Sequence, residues 1–195
     1  MTRKVTILGA TGSIGQNTID LIRRNLDAYD VVALTGASNI AQLARDAIDL
    51  KADIAVTAHD DLLDDLRDAL AGSGVQAAAG SAAIDEAAAR PADWIMSAIV
   101  GAAGLSPGYA ALKQGTTLAL ANKESLVCAG QLMLDTAAQH GTRMLPVDSE
   151  HSAIFQALIG EEISAVERII ITASGGAFRD WPLEKLETAT LAQAS

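Results

Sequence analysis

The sequence predicts an α/β fold: a doubly wound, Rossmann-like and mostly parallel sheet with helices on both faces, followed by the start of a second α/β domain. Short runs of β-branched and other apolar residues alternate with longer segments whose apolar residues recur at helical spacing. A glycine-rich turn stands between the first such strand and the first helix. Strands that alternate with helices in this way favour a parallel sheet.

Strands and helices alternate along residues 1–149. The strands are expected at residues 5–8, 31–34, 53–56, 75–79, 94–100, 117–120 and 143–147. The helices are expected from Ile14 to Leu26 and at residues 40–50, 62–70, 81–89, 107–113 and 124–139. The strand at 75–79 has the weakest pattern because it is rich in alanine.

Near residue 150 the regular alternation of strands and helices ends. A helix is predicted at 152–159, a strand at 167–172 and a tight turn at Ser174-Gly175-Gly176. A segment of about 45 residues is short for a domain. We therefore expect residues 1–149 to form a dinucleotide-binding, Rossmann-like domain and residues 150–195 to begin a catalytic domain that is truncated here.

Composition argues against several kinds of partner. The net charge is -10 and the aromatic content 3%, so nucleic acid and anionic membranes, which need basic or stacking surfaces, are not expected as partners. Cys128 is the only cysteine, which excludes an internal disulfide and fits a reducing compartment. With no apolar run of membrane-spanning length, we expect a cytoplasmic protein.

The glycine-rich turn is the segment Gly-Ala-Thr-Gly-Ser-Ile-Gly at residues 9–15. Its spacing is G-x-x-G-x-x-G rather than the usual G-x-G-x-x-G, but its position between a strand and a helix favours binding of a dinucleotide pyrophosphate. A purely structural turn is the alternative. The segment after the second strand, residues 35–39, lacks the acid that an NAD site places there, which favours NADP. Ser38 and Asn39 offer hydrogen bonds to a 2′-phosphate, although an ordinary polar loop would look the same.

Charged residues follow two later strands. Asp148 and Glu150 come after the strand at 143–147, and Lys123 follows the strand at 117–120. Parallel strands end at one edge of the sheet, where ligands bind. Carboxylates there suit Mg²⁺ or Mn²⁺, and a lysine suits an anionic oxygen. The alternatives are a helix-capping role for Glu150 and a surface role for Lys123. Residues 174–176 have the composition of an anion-binding nest for a substrate phosphate, with a plain loop as the alternative.

Four further residues carry weaker signals. Tyr109 and Lys113 have the spacing of the catalytic pair of short-chain dehydrogenases, but a four-residue pattern arises easily by chance, and Tyr109 is interpreted as a packing residue. Cys128 lies in a predicted apolar helix and is interpreted as a small hydrophobe. His151, beside the carboxylates, is interpreted as a helix-start residue.

Five motifs in order give the chain a family resemblance. They lie at residues 9–15, 98–105 (Ala-Ile-Val-Gly-Ala-Ala-Gly-Leu), 121–127 (Ala-Asn-Lys-Glu-Ser-Leu-Val), 146–151 (Pro-Val-Asp-Ser-Glu-His) and 172–179 (Thr-Ala-Ser-Gly-Gly-Ala-Phe-Arg). Together they closely resemble the 1-deoxy-D-xylulose 5-phosphate reductoisomerases over essentially the whole chain. The three middle motifs are the specific ones.

The resemblance implies an enzyme of isoprenoid precursor biosynthesis by the non-mevalonate pathway. It would rearrange a phosphorylated ketose and reduce the product with NADPH to 2-C-methyl-D-erythritol 4-phosphate, with help from Mn²⁺ or Mg²⁺. The resemblance implies metal ligation by Asp148 and Glu150, and substrate contact by Lys123, Ser149, Glu150 and Ser174. It implies an NADPH site lined by Thr11, Gly12, Ser13, Ile14, Asn39, Asn122 and Glu124. A homodimer is also implied.

The sequence departs from the family in two ways. Members continue beyond residue 195 with a mobile loop, a third metal-binding glutamate and a helical domain, so we expect the present chain to turn over poorly by itself. Members often carry lysine where this chain has Ser38. Two rival functions stay open: a short-chain-type NADP dehydrogenase that uses Tyr109 and Lys113, and a non-catalytic NADP-binding sensor.

Overall fold

The computed structural model describes residues 2–171 and 176–194, and the chain divides into two units, Met1–Ser149 and Glu150–Ser195. The strands of the first unit are β1 (Arg3–Leu8), β2 (Tyr29–Gly36), β3 (Ile54–Thr57), β4 (Gln76–Ala79), β5 (Trp94–Ser97), β6 (Thr117–Leu120) and β7 (Arg143–Pro146). Its helices are α1 (Ser13–Arg23), α2 (Ile40–Asp49), α3 (Leu63–Ala69), α4 (Ser81–Ala89), α5 (Leu105–Leu112) and α6 (Lys123–His140).

The strands form one parallel sheet in the order β4-β3-β2-β1-β5-β6-β7. The doubly wound sheet predicted from the alternating pattern is therefore confirmed. The direction of winding reverses between β1 and β5, which are neighbours with Leu8 opposite Ser97. Open parallel sheets bind ligands at such a point, beyond the carboxyl ends of the strands. The glycine-rich turn follows β1 at this edge.

Helices cover both faces of the sheet because successive strand residues point to opposite sides. On one face a core joins β1 to α1, α2 and α3 through Val5, Ile7, Ile19, Leu43 and Leu66. On the other face a core joins β1 and β5 to α5 and α6 through Leu8, Ile95, Leu112 and Met133. Helix α4 packs through Ile84 and Ala87 against Val32 and Val56 of β2 and β3. The strand ends that carry the functional loops are thus held by packing on two sides.

Two boundaries in the first unit differ from the sequence prediction by three residues, and the others differ by two or fewer. Strand β5 ends at Ser97 rather than residue 100, because the carbonyls of Ile99 and Gly101 accept hydrogen bonds from the side chain of Asn122 instead of from a strand. Helix α1 ends at Arg23, and Leu26 begins a separate single turn, in which the Tyr29 amide donates to the Leu26 carbonyl.

Helix α6 is the longest helix of the described residues and is kinked at Ala129, where φ is -142° and ψ is 30°. Its buried side includes Ser125, Met133 and Ala137. Cys128 lies off this side and is exposed, so it does not pack as the small hydrophobe that the sequence suggested. Neither α6 nor any other helix in the described part of the chain combines the length and apolar character needed to cross a membrane.

Over its described residues, the second unit contains helices and turns. Helix α7 (Ser149–Ala157) leads into it, followed by a single turn at Ile163–Ala165 and the short helices α8 (Leu183–Leu186) and α9 (Leu191–Ala194). The strand predicted at 167–172 is wrong over residues 167–171, which have no regular structure; residue 172 lies outside the described residues. A strand needs a neighbour for its backbone hydrogen bonds, and no described residue of this unit supplies one.

Candidate active site

Hydrogen bonds from β2 hold the glycine-rich turn in place. The Gly9 amide donates to the hydroxyl of Thr35 at 3.0 Å, and the Ala10 amide donates to the Thr35 carbonyl at 2.7 Å. Gly9 has a φ of +84°, and a Cβ there would lie 2.7 Å from the Ala98 carbonyl carbon. Only glycine therefore lets this turn approach the loop after β5, which forms the opposite wall of a cleft.

The N-terminus of α1 is left open for an anion. Its N-cap is Gly12, which has no side chain to accept from the first turn, and that turn contains no acidic residue. By contrast, Asn39 and Asn122 cap α2 and α6 with their side-chain oxygens. The first N–H groups of a helix lack intrahelical acceptors and carry the positive end of the helix dipole. The start of α1, with Ser13 and Ile14, therefore suits the pyrophosphate of a dinucleotide.

The cleft beside this turn has a volume of about 330 Å³ and is lined by the ends of β1, β2, β3 and β5. Its walls include Gly9, Thr11, Gly12, Gly36, Ala98 and Val100. None of the described residues that line the cleft is charged, so nothing in its walls repels a phosphate. Two of the predicted cofactor residues, Thr11 and Gly12, thus lie in this cleft.

The loop after β2 contains the predicted site of the 2′-phosphate. The side-chain oxygen of Asn39 accepts from the Gln42 amide at 3.2 Å and caps α2. The Ser38 carbonyl accepts from the Ile40 amide at 3.0 Å, which forms a tight turn into the helix. Residues 35–39 contain no acid. The oxygen of Asn39 is therefore committed to the helix, and its amide nitrogen is the part suited to a phosphate.

Asn122 connects the start of α6 to the wall of the cleft. The residue is 2% exposed. Its side-chain nitrogen donates to the carbonyls of Ile99 and Gly101, the latter at 2.9 Å. Its oxygen accepts from the backbone amide of Ser125 at 2.8 Å and also from the Ser125 hydroxyl. These four bonds use every hydrogen-bonding position of the amide. Asn122 therefore acts on the cleft through the loop that it holds.

The same contacts explain a glycine of the motif at 98–105. A Cβ on Gly104 would lie 2.6 Å from the Ile99 carbonyl oxygen and would also meet the Asn122 side chain. Real Cβ atoms do not approach that closely. The glycine is therefore needed for the hydrogen bonds of Asn122 to form.

Lys123 and Asp148 meet at the carboxyl edge of the sheet, as the sequence predicted. The Val147 amide donates to the Leu120 carbonyl at 3.0 Å, which joins the ends of β6 and β7. Just beyond, the Lys123 ammonium lies 2.9 Å from a carboxylate oxygen of Asp148. The Asp148 side chain is 15% exposed and that of Lys123 is 62% exposed. A largely buried carboxylate thus faces a cation that solvent can still reach.

The other predicted site residues do not form a cluster in the part of the chain that the structure describes. Glu124 lies in the first turn of α6, and Ser149 begins α7. Glu150 and His151 open the second unit. Ser174 lies outside the described residues. Within ranges 2–171 and 176–194, no three His, Cys, Asp or Glu side chains lie close enough together to hold a metal ion.

Tyr109 contacts the lysine of the rival catalytic pair, and Thr35 anchors the glycine-rich turn. The Lys113 ammonium, just after the end of α5, lies 4.4 Å from the centre of the Tyr109 ring, a cation–π contact that fits the predicted packing role of Tyr109. Thr35 was missed as a site residue. It is 1% exposed, and its hydroxyl fixes the glycine-rich turn. A polar residue ending an apolar strand was the available signal.

Comparison with known proteins gives one family. The family model described as 1-deoxy-D-xylulose 5-phosphate reductoisomerase matches residues 5–130, and the model of its C-terminal domain matches residues 144–195. A curated reductoisomerase of this name from Ruegeria sp. (strain TM1040) is 77% identical over 193 residues, covering 99% of this chain and 49% of that protein. The homologue from Cereibacter sphaeroides (strain ATCC 17025) is 63% identical over 194 residues, covering 98% and 49%. The chain thus spans about half the length of the curated relatives it matches.

Two solved structures of similar fold belong to the same family. The reductoisomerase from Zymomonas mobilis in complex with NADPH is 56% identical with a TM-score of 0.89, covering 97% of this chain and 50% of that one. A DOX-P reductoisomerase in complex with NADPH, fosmidomycin and magnesium is 36% identical with a TM-score of 0.83, covering 98% and 50%. On the family models, the identities and the shared fold, the chain belongs to the 1-deoxy-D-xylulose 5-phosphate reductoisomerase family.

Proposed function

We propose that the chain is the cofactor-binding part of an NADPH- and divalent-metal-dependent enzyme that converts 1-deoxy-D-xylulose 5-phosphate to 2-C-methyl-D-erythritol 4-phosphate. The single observation that carries this proposal is the Lys123–Asp148 ion pair at 2.9 Å. The ion pair lies at the same edge of the sheet as the glycine-rich turn, and the chain belongs to this family. Neither feature alone requires this chemistry; together they supply a cofactor cleft and a charged substrate site.

The binding of NADPH would rest on the first unit. The open N-terminus of α1 and the residues Thr11, Gly12, Ser13 and Ile14 would hold the pyrophosphate. Asn39 would contact the 2′-phosphate, while Asn122 and Glu124 would shape the nicotinamide end from α6. The uncharged, largely apolar walls of the cleft would keep water away from the part of the cofactor that they cover, and NADPH, when bound, would supply the hydride. The relative from Zymomonas mobilis, whose structure contains NADPH, supports this assignment.

The donor set at the strand ends fits a hard divalent cation. The Asp148 carboxylate is largely buried and already accommodates a positive charge. Carboxylate oxygens are ligands that Mg²⁺ and Mn²⁺ favour. Asp148 and Glu150 would hold the ion, and the ion would supply Lewis-acid chemistry at a substrate oxygen. The neighbouring family structure in complex with magnesium supports this choice.

Lys123, Ser149, Glu150 and Ser174 would contact the substrate. The exposed ammonium of Lys123 suits a substrate oxygen that gains negative charge during the reaction. Residues 1–149 would then be the NADP-binding domain, and residues 150–195 would begin the catalytic domain. We also propose a homodimer in the cytoplasm for the natural protein, which sedimentation and cell fractionation would test.

The experiment is the oxidation of NADPH in the presence of 1-deoxy-D-xylulose 5-phosphate and Mn²⁺. It is run on the natural protein that contains this sequence and on the 195-residue chain. We expect turnover by the former and little by the latter. Lack of substrate- and metal-dependent turnover in the natural protein would remove the assignment and leave an NADP-binding sensor.

Variants separate the proposed site from the Tyr109–Lys113 rival. Lys123→Met in the natural protein should lower kcat/KM by about 100-fold or more, because one charged contact to the transition state is lost. NADPH affinity should stay within about twofold. Lys113→Met and Tyr109→Phe are the matched controls and should retain most activity. Loss of activity in Tyr109→Phe, with metal irrelevant, would favour the short-chain dehydrogenase.

A further inference from the structure

Asp46 is a buried carboxylate that the proposed mechanism does not use. It lies in α2, is 0% exposed, and is the only charged residue among the buried ones that the structure describes. One of its oxygens accepts from Arg23 at 2.8 Å and from Gln42 at 3.0 Å. The other accepts from Gln16 at 2.6 Å and from Gln42 at 2.9 Å. Burying a charge is costly unless several donors compensate it, so this arrangement is tightly determined.

Gln16 connects this carboxylate to the glycine-rich turn. Its side-chain nitrogen donates one hydrogen bond to Asp46 and another, at 2.9 Å, to the carbonyl of Ala10. Its oxygen accepts from the Gln42 side chain at 3.2 Å. Gln16 lies one turn into α1 and Ala10 lies within the turn itself. The turn is therefore fastened to α2 as well as to β2.

Gln42 connects the same carboxylate to the loop after β2. Its backbone amide is capped by the side chain of Asn39, the residue assigned to the 2′-phosphate. A continuous set of hydrogen bonds thus runs from the Ala10 carbonyl, through Gln16, Asp46 and Gln42, to Asn39. It joins the loop that would hold the cofactor's pyrophosphate to the loop that would hold its 2′-phosphate.

We infer that Gln16, oriented by Asp46, is a positioning residue that sets the pyrophosphate turn at the correct distance from the 2′-phosphate loop. The inference rests on the proposed function, since it concerns the same NADPH site. A ligand with phosphates in both loops needs their spacing to be right, whereas a ligand in one loop does not. Gln16 therefore governs affinity for the whole cofactor more than affinity for its adenosine end.

The test compares two ligands on the 195-residue chain: NADPH, followed by its fluorescence, and adenosine 2′-phosphate, followed by calorimetry. Gln16→Met keeps the side-chain volume and removes both donated bonds. It should raise the Kd for NADPH about tenfold, as expected for lost bonds to a charged group and a carbonyl. The Kd for adenosine 2′-phosphate should change less than about twofold. Gln16→Lys, which can donate to both acceptors, should restore NADPH binding to within about threefold of the parent.

Arg23→Met is the matched control, because it removes a different partner of Asp46 and leaves Gln16 in contact with the turn. It should lower the melting temperature but leave the Kd for NADPH within about twofold. Equal weakening of both ligands in Gln16→Met, an unchanged Kd for NADPH, or equal weakening by Arg23→Met would overturn the inference. If the parent chain fails to bind NADPH, the proposed function itself falls; if only the variant comparison fails, the proposed function stands.

Discussion

Every buried apolar residue in the described part of the chain lies in the first unit, between Val5 and Ala137. In the second unit the isoleucines at positions 163, 169, 170 and 171 are 53% to 75% exposed. Both units contain apolar runs, but among the described residues only the first unit has cores that cover the two faces of a sheet. The comparison teaches that an apolar run becomes a strand or a core only where other parts of the chain can cover it.

The largest expected difference between the units concerns hydrogen exchange. Backbone amides of β1 and β5 should exchange at least about 10,000-fold more slowly than those of α7–α9, since core strands open only with the global free energy of unfolding. Mass spectrometry of the 195-residue chain measures this, with a chemically denatured sample as the unprotected control. Similar protection in both units would contradict the view that only the first unit has a buried core among the described residues.

A smaller effect is expected from truncating one side chain in each unit. Leu34→Ala, at a fully buried position, should lower the free energy of unfolding by about 3 kcal/mol through lost burial and a cavity. Ile170→Ala, at a position 75% exposed, should change it by less than about 0.5 kcal/mol. Urea denaturation measures both. A cost above about 1 kcal/mol for Ile170→Ala would mean that the second unit has a core of its own.

Within the first unit, the glycine-rich turn provides a sharper test of tight packing. A Cβ on Gly15 would lie 2.6 Å from the Cα of Ala10, so Gly15→Ala should cost about 2 kcal/mol of stability and weaken NADPH binding. Gly130→Ala in α6 is the control, because a Cβ there meets nothing within 4 Å and alanine is the better helix former. Thermal unfolding with and without NADPH distinguishes them, and equal effects would refute the packing argument.

The smallest expected effect is a gain in stability. The Thr6 hydroxyl is buried and, within the residues that the structure describes, has no hydrogen-bond partner. Thr6→Val replaces it with a methyl group of similar shape and should raise the free energy of unfolding by about 1 kcal/mol. Thr6→Ser, which keeps the hydroxyl, should not. Denaturant titration decides, and a loss of stability in Thr6→Val would show that the hydroxyl is satisfied.

Local patterns were sufficient for most of the first unit because its strands and helices each carry their own period. The strands β1 to β7 and the turn at 9–15 follow from alternation and glycine spacing, and the meeting of Lys123 with Asp148 follows from the rule that parallel strands end at one edge. Even the alanine-rich β4 forms, since β3 supplies its hydrogen bonds.

Features that depend on distant partners could not be read from such patterns. The early end of β5 depends on Asn122, more than twenty residues later in the sequence. The role of Thr35 depends on the amide of Gly9. The absence of a strand at 167–171 depends on what lies beside it rather than on its own sequence. The pairing of Asp46 with Gln16 joins two helices whose patterns show only ordinary polar faces.

The side chain of Asn122 also provides a natural spectroscopic probe. Both of its amide protons point at carbonyls of the loop after β5, so in a nitrogen-15 NMR spectrum they should appear as a slowly exchanging pair, distinct from the mobile amides of surface asparagines. Any shift of that loop as the cleft fills changes these bonds. Selective labelling of asparagine would therefore report occupancy of the cleft without an engineered tag.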